Sequence, residues 1–193
     1  NQLFHFHFSS YNEKSYYPYA RDPKKLSRYW AIPGQEGLRH RIGGLEKADV
    51  TGEVSYDPIN HENMVELRDD KVNKVADFIP SQEVEGEKSG DLLIVGWGGT
   101  YGALHMAVKE LQEKGKNISL AQFNYIRPLP KNTEEILAGF NKILVCELNR
   151  GQFINYLKMS FPQFKYLKYS KVQGLPFMIS ELKNKFNQIL EED

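Results

Sequence analysis

Cysteine, net charge and long apolar runs are the features that this sequence has least of. The single cysteine, Cys146, can form no disulfide within the chain, and its place at the end of an apolar run predicts a buried thiol. Twenty-five basic residues balance twenty-five acidic ones, so no overall field would gather nucleic acid or an anionic membrane. No apolar run approaches the length of a bilayer span, and no signal peptide opens the sequence. The composition therefore predicts a cytoplasmic protein without nucleic-acid or membrane partners.

Signatures of catalysis and metal binding are also scarce. The sequence shows no Ser-His-Asp, Cys-His or paired-carboxylate arrangement, and it has no G-x-x-x-x-G-K-[ST] loop. His5 and His7 would share a strand face, but no Cys, Asp or Glu lies near enough in sequence to complete a metal site. The basic run at 39–41 (RHR), followed by Gly43 and Gly44, fits either an anion clamp or a loop that touches a neighbouring domain. The residues alone leave both interpretations open.

The stretch from Asp91 to Phe123 is predicted to form a strand, a turn, a helix and a second strand. Residues 92–95 (LLIV) are an apolar run of the kind found in strands that are buried on both faces of a parallel sheet. A glycine-rich turn, GWGGTYG, follows at 96–102, and Thr100 is predicted to cap the helix.

Two functions fit the glycine-rich turn. A dinucleotide site would need the pattern G-x-G-x-x-G, but a match that starts at Gly96 places Tyr101 at the third glycine, and no acid follows the second strand. The alternative is packing, in which the glycines allow a tight turn and close contact between helix and sheet. We expect packing.

Strand and helix continue to alternate to the end of the chain. The further predicted elements are a short helix from Asn132 to Phe140, a strand Lys142–Cys146, a helix whose cap involves Asn149 and Gln152, a strand Phe164–Tyr169 and a last helix opening at Pro176. Lysines interrupt the fourth strand, which predicts an edge position. Four alternations predict a three-layer α/β/α fold with a mainly parallel, twisted sheet.

The rest of the chain predicts a division into three parts. Residues 1–56 are irregular and rich in aromatics, residues 57–90 form a linking helix and a polar linker, and residues 91–193 form the α/β domain. The linking helix is predicted from Pro58 to Phe78 with Asp57 as its cap. Its expected apolar stripe consists of Val65, Val72, Ala76 and Ile79.

The loops that leave the carboxyl ends of parallel strands gather on one rim of such a sheet, where sites usually lie. Here the rim is aromatic and polar and contains arginine, a mixture that is typical of partner surfaces. We therefore predict a contact rim rather than a ligand pocket. Its residues are Trp97, Thr100, Tyr101, Tyr125, Arg127, Glu147, Asn149, Arg150 and Gln173.

Several segments together resemble one enzyme family. YWAIPGQEGLRHRIGG, GWGGTYGA, YIRPLP, CELNRGQ and KVQGLPF, in this order and spacing, are similar to the C-terminal part of the alpha subunit of 2-oxoacid:ferredoxin oxidoreductases, above all those that act on 2-oxoglutarate. The resemblance implies a transketolase C-terminal-like domain, whose sheet can include one antiparallel strand. Residues 1–56 would then be the tail of a preceding thiamine-diphosphate-type domain.

The resemblance also implies a function and partners. The chain would be a structural and assembly domain, inactive alone, of an oligomeric complex that decarboxylates a 2-oxoacid oxidatively with coenzyme A. That complex would contain thiamine diphosphate, Mg²⁺ and iron–sulfur clusters, with a beta subunit, the remaining domains of the enzyme and ferredoxin as partners. No catalytic, cofactor-binding or metal-binding residue is carried over to this chain. The alternative is a domain that binds coenzyme A, a nucleotide or another anion, but the glycine turn lacks lysine and arginine, which favours assembly.

Overall fold

The chain divides into two compact units, Asn1–Ile79 and Pro80–Asp193. The computed structural model describes residues 16–192. Within that range no helix has both the length and the apolar character that crossing a membrane requires. The predicted three-part division stays a prediction.

The first unit is irregular chain followed by a helix. Isolated antiparallel bridges hold the irregular part together, at Tyr19–Val50, Arg21–Arg28 and Lys47–Val54. Helix α1 (Pro58–Asn73) follows and ends in a short 3-10 helix, Lys74–Asp77. As predicted, Asp57 caps α1, because its carboxylate accepts a hydrogen bond of 3.0 Å from the Ile59 amide.

The predicted apolar stripe of α1 is wrong. Met64 is the buried side chain of this helix, whereas Val65 and Val72 are exposed. The face that contains Met64 continues to Arg68 and Lys71 at helical spacing. Exposed charged residues therefore share the face of α1 that contains the buried Met64, and counting apolar residues could not identify that face.

The second unit is built on a four-stranded parallel sheet. Its elements are β1 (Gly90–Trp97), α2 (Tyr101–Gln112), β2 (Ile118–Phe123), α3 (Thr133–Ala138), β3 (Phe140–Glu147), α4 (Gln152–Ser160), β4 (Tyr166–Ser170) and α5 (Ile179–Glu191). The strand order is β2-β1-β3-β4, and all three pairings are parallel. Next to β2, Glu85 and Leu120 form one antiparallel bridge, with N–H···O distances of 2.8 and 3.0 Å.

Helices cover both faces of the sheet. Leu92 and Ile94 of β1 pack with α2 and α5, and the alternate residues Leu93 and Val95 pack with α3 and α4. Successive residues of a strand point to opposite faces of the sheet. A strand that is covered by helices on both faces, such as β1, therefore has consecutive apolar side chains. The predicted three-layer α/β/α fold is confirmed, and β4 lies at the sheet edge as expected.

The start of the last helix differs from the prediction. Helix α5 begins at Ile179 and not at Pro176. The Met178 amide donates a hydrogen bond of 3.0 Å to the Glu181 carboxylate, which caps the first turn. Phe177 is buried in the core beside α5, so the chain is anchored there before the helix begins.

Candidate functional site

The turn after β1 is shaped by packing. A Cβ atom at Gly96 would lie 2.3 Å from the Leu104 side chain and 2.7 Å from the Gln122 side chain. Gly98 has a φ of 57°, in the left-handed region that favours glycine. Thr100 is buried and does not cap α2, contrary to expectation. Its hydroxyl instead donates to the Trp97 carbonyl at 2.8 Å and accepts from the Trp97 amide at 3.2 Å.

Glu147, the last residue of β3, is the centre of the rim. Its side chain is fully buried, and its carboxylate accepts hydrogen bonds from the Phe153 amide at 2.8 Å and the Ile154 amide at 3.1 Å. These amides belong to the first turn of α4, where a negative charge is favourable. The carboxylate also accepts from Asn149 Nδ2 at 3.1 Å and from Trp97 Nε1 at 3.2 Å. A buried charge with four donors is well compensated.

Asn149 secures the loop between β3 and α4. Its Oδ1 accepts hydrogen bonds from the Gly151 amide at 2.6 Å and the Gln152 amide at 2.9 Å. Gly151, with a φ of 102°, occupies the cap position itself. The predicted cap spacing, with Asn149 at the cap and Gln152 in the first turn, therefore placed the helix start two residues too early, although Asn149 does accept amide hydrogen bonds at this helix start.

Trp97 fills the place where an open parallel sheet usually binds ligands. Because β1 lies between β2 and β3, the strand order reverses at the carboxyl ends of β1 and β3. The half-buried Trp97 ring packs edge-on against Phe153, with the ring centres 6.4 Å apart. Its indole N–H donates to Glu147 across the two strand ends. An aromatic ring and a buried carboxylate thus occupy this crevice, and both disfavour a phosphate there.

Tyr101 and Tyr125 line an open cleft of about 450 Å³ beside β2. The other polar residues that line the same cleft include Gln82, Glu85 and Gln122. Sequence reasoning missed these three. Gln82 and Glu85 lie in the polar linker, whose lack of periodicity hid its attachment to β2.

Glu85 is the electrostatic centre of this cleft. Its carboxylate lies 2.5 Å from His105 Nδ1, and it also hydrogen-bonds to Tyr101. The hydrogen bond to the Glu85 carboxylate raises the pKa of the Tyr101 phenol, and the negative charge of Glu85 adds to this. The Tyr101 and His105 rings are 5.4 Å apart. The cleft is therefore acidic on this side, which suits a cation or a hydrogen-bond donor better than an anion.

The other predicted rim residues remain at the surface. Arg127, Arg150 and Gln173 are exposed and lie on three different loops. The structure therefore joins Trp97 to Glu147 and places Tyr101 with Tyr125, but does not gather all nine residues into one pocket. Their role as a contact rim stays a prediction.

Cys146 lies in the core, as predicted. Burial raises the pKa of its thiol, and the adjacent carboxylate of Glu147 raises it further. His5 and His7 lie outside the described residues. In the described range, 16–192, no three His, Cys, Asp or Glu side chains are placed to hold a metal ion together.

Comparison with known proteins identifies the class of domain. Residues 90–176 match the family model described as pyruvate:ferredoxin oxidoreductase core domain II. The chain is 40% identical over 171 residues to the 2-oxoglutarate oxidoreductase subunit KorA of Mycobacterium tuberculosis, covering 86% of this chain and 25% of that protein. It is 26% identical over 181 residues to the alpha subunit of 2-oxoacid:ferredoxin oxidoreductase 2 of Aeropyrum pernix, covering 88% of this chain and 28% of that protein.

A solved structure agrees with the sequence matches. The 2-oxoglutarate:ferredoxin oxidoreductase from Magnetococcus marinus, with 2-oxoglutarate, coenzyme A and succinyl-CoA bound, superimposes with a TM-score of 0.85 at 28% sequence identity. The superposition covers 95% of this chain and 32% of that chain.

These matches confirm the resemblance. Residues 90–176 are a core domain II of the pyruvate:ferredoxin oxidoreductase type. The chain belongs with the alpha subunits of the 2-oxoacid:ferredoxin oxidoreductase family. It spans about a quarter of the length of the curated relatives.

Proposed function

We propose that this chain is the assembly domain of the alpha subunit of a 2-oxoacid:ferredoxin oxidoreductase, with 2-oxoglutarate as the expected substrate. The complete complex would decarboxylate the 2-oxoacid oxidatively, form the acyl-coenzyme A product and pass electrons to ferredoxin. The chain itself would provide a scaffold and contact surfaces for the beta subunit and the remaining domains. A cytoplasmic location, expected from the composition, is part of the same proposal.

One observation carries this proposal: the 40% identity to a 2-oxoglutarate oxidoreductase subunit over 86% of the chain. The local geometry supports the scaffold role. The crevice at the strand-order reversal is occupied by Trp97 and Glu147, and the amides at the start of α4 already bind that carboxylate. Coenzyme A or a nucleotide is therefore disfavoured at this rim.

The residues of this chain do not fit the cofactors of the complex. Iron–sulfur clusters need several thiolates, whereas the chain contains only Cys146, which is fully buried. Thiamine diphosphate, when bound, stabilises the carbanion left by decarboxylation, but the glycine-aspartate motif that holds its metal in related enzymes has no match in this sequence. The cofactors would be bound by other parts of the complex.

Co-purification and turnover test the proposal. A complete subunit that contains this chain, tagged and co-expressed with the beta subunit from the same source, should bring the beta subunit down with it. The complex should reduce a viologen dye when given 2-oxoglutarate and coenzyme A, and more slowly with pyruvate or a branched-chain 2-oxoacid. An assembled complex with no turnover on any 2-oxoacid would disprove the proposed activity, and the rank of the three substrates tests the 2-oxoglutarate assignment separately.

A further inference from the structure

The face of α1 that contains Met64 lines a cleft of about 460 Å³ within the first unit. Met64, Leu67, Arg68 and Lys71 are spaced at i, i+3, i+4 and i+7, so they share one side of the helix. The hairpin of residues 19–28 and the loop of residues 43–46 form the other walls. They contribute Tyr19, Arg21, Leu26, Arg28, Gly43, Gly44, Leu45 and Glu46.

Positive charge dominates the lining of this cleft. Four cations, those of Arg21, Arg28, Arg68 and Lys71, face one carboxylate, that of Glu46. Glu46 is already engaged by Arg68, at 3.2 and 3.3 Å.

Two of the four cations have no carboxylate partner. Arg21 pairs with Asp49 at 2.5 Å, and Arg68 pairs with Glu46. Within residues 16–192, neither the Arg28 guanidinium nor the Lys71 ammonium forms an ion pair with a carboxylate. The guanidinium of Arg28 lies 4.3 Å from the centre of the Tyr19 ring, so a cation–π contact orients it.

Both cations are largely exposed to solvent, and their placement concentrates positive charge along the cleft. Arg21 and Arg28 are partners in an antiparallel bridge, where like charges opposite one another destabilise the pair. Burial lowers the pKa of the Lys71 ammonium, and the positive charges of Arg28 and Arg21 lower it further. An anion between these side chains would relieve both effects.

A buried lysine supports the opposite wall. Lys47 is 2% exposed, and its ammonium donates hydrogen bonds to the carbonyl groups of Gly43, at 2.6 Å, and Leu45. These bonds hold the loop of residues 43–45 in place along the cleft. They also keep a further positive charge beneath it.

We propose that this cleft binds a metabolite-sized anion, whose phosphate or carboxylate group is held by Arg28 and Lys71. A volume of about 460 Å³ lies in the range of small-molecule sites. The planar guanidinium of Arg28 can hold two oxygens of such a group at once, and the ammonium of Lys71 adds a point charge. The inference does not depend on the proposed oxidoreductase function.

This site differs from the anion clamp that the basic run suggested. Arg39, His40 and Arg41 line a separate cleft of about 430 Å³ with Tyr16. Of the basic run and the two glycines that follow it, only Gly43 and Gly44 line the cleft that contains Arg28 and Lys71. The structure therefore separates the basic run from the two glycines.

Isothermal titration of the 193-residue chain with pyrophosphate and with citrate, at constant ionic strength, tests the proposal. At least one probe should bind saturably with one site per chain, and the stronger probe identifies the preferred group. Arg28→Gln and Lys71→Met should each weaken that binding about tenfold or more, because each removes a charge-assisted hydrogen bond. Arg41→Gln, which removes a cation from the other cleft, should leave the affinity unchanged within about twofold.

Three results would overturn the proposal. The first is that neither probe binds saturably, and the second is that Arg41→Gln weakens binding as much as Arg28→Gln and Lys71→Met do. The third is that a polyglutamate peptide binds whereas neither small anion does. Melting curves of the unliganded variants check that each still folds. If Arg28→Gln does not fold, Arg28→Lys serves instead, since it keeps the charge but loses the planar fork, and it should still weaken binding.

Discussion

At the scale of single residues, Glu147 shows how a charged side chain can organise a rim without being exposed. Its carboxylate joins the end of β1, the loop after β3 and the first turn of α4 through four hydrogen bonds. The cost of burying the charge is offset because every donor is itself oriented by local structure. We infer that the residue is structural and that it holds the half-buried rim residues Trp97 and Asn149 in place.

Glu147→Gln should destabilise the second unit by about 1 to 3 kcal/mol. The amide keeps the shape but replaces one acceptor oxygen with an NH₂ group, which would face an N–H donor of Trp97, Phe153 or Ile154. Chemical denaturation monitored by circular dichroism measures the effect. Glu113→Gln, at an exposed position, is the matched control and should change the stability by less than about 0.5 kcal/mol. Equal stability of the two variants would show that Glu147 is not the organising group.

The ion pair of Glu46 predicts a pH dependence of the first unit. The pKa of the Glu46 carboxyl is lowered from 4.5 to about 2, first by the Arg68 hydrogen bonds and then by those of His61 and the Lys47 amide, which together outweigh the opposite effect of burial. Because the folded-state pKa is depressed, the resulting stabilisation is present above pH 4.5 and is lost as the pH falls towards 2. Arg68→Ala should therefore reduce stability at pH 7 and flatten its acid dependence. Melting temperatures between pH 7 and pH 3 measure this, and Arg41→Ala should keep the wild-type slope.

At the scale of elements, the alternation of apolar runs and amphipathic helices predicted the second unit well. Residues 92–95 and Lys142–Cys146 lie inside β1 and β3, because a strand that is buried on both faces leaves a continuous apolar run in the sequence. Elements that depend on side-chain hydrogen bonds were predicted poorly. The start of α5 depends on Glu181, and the Met64 face of α1 also contains Arg68, which pairs with Glu46 of another segment.

The polar linker is the clearest case of structure that left no pattern in the sequence. Glu85 forms the backbone bridge to Leu120, the Ser119 hydroxyl donates to the Glu87 carbonyl at 2.9 Å, and Gln82 exchanges hydrogen bonds with Asn132. None of these contacts needs an apolar side chain. The linker therefore covers the free edge of β2 although its sequence, SQEVEGEKSG, has no period.

A truncation series tests the contribution of this linker. Residues 80–193 should melt several degrees higher than residues 91–193, because the shorter fragment loses at least five hydrogen bonds along β2 and at Asn132, each with a net worth of about 0.5 to 1.5 kcal/mol. Differential scanning calorimetry of both fragments gives the comparison. Removing the last residue alone, Asp193, from the other end serves as a control for truncation itself. Equal melting temperatures for 80–193 and 91–193 would show that the linker does not stabilise the sheet.

At the scale of the whole molecule, the site could be predicted only in part. The order of strands and helices showed which loops share a rim, but not that Trp97 and Glu147 would meet, since their contact joins residues 50 positions apart. A signal for Glu147 did exist in the sequence. An acid that ends a buried strand just before the asparagine and glycine at a helix start is placed to accept hydrogen bonds from the first amides of that helix. Glu85 and Gln122 gave no comparable signal.

The isolated chain is predicted to have no oxidoreductase activity. It contains one cysteine, which is buried, and no match to the thiamine diphosphate motif, so the reacting groups would be bound elsewhere in the complex. The chain is incubated with 2-oxoglutarate, coenzyme A, thiamine diphosphate, Mg²⁺ and a viologen acceptor, and dye reduction is followed. Turnover should not exceed that of a heat-denatured sample. Any reproducible excess would show that this chain contains catalytic groups.

The last prediction concerns the exposed rim in the proposed complex. Arg127 and Tyr101 are exposed near the carboxyl ends of the strands, Arg127 on a loop and Tyr101 as the first residue of α2, and arginine and aromatic residues are typical of interface hot spots. Arg127→Ala and Tyr101→Ala should each weaken association with the partner subunit by about 1 to 4 kcal/mol if the residue is a hot spot. Lys116→Ala is the matched control and should leave association unchanged. Lys116 is an exposed cation just before β2, at the amino ends of the strands and away from the rim.

Trp97→Ala distinguishes internal packing from contact with a partner subunit. The Trp97 ring packs on Phe153 and its N–H donates to Glu147, so the residue has a packing role in any case. The melting temperature of the variant should fall, since a half-buried aromatic ring and one hydrogen bond are lost. If the rim is also a contact surface, association should weaken at a temperature where the variant is fully folded. Measuring both quantities on the same protein decides between the roles: a lower melting temperature with unchanged association would assign Trp97 to internal packing alone. Unchanged association in Arg127→Ala and Tyr101→Ala as well would refute the contact rim.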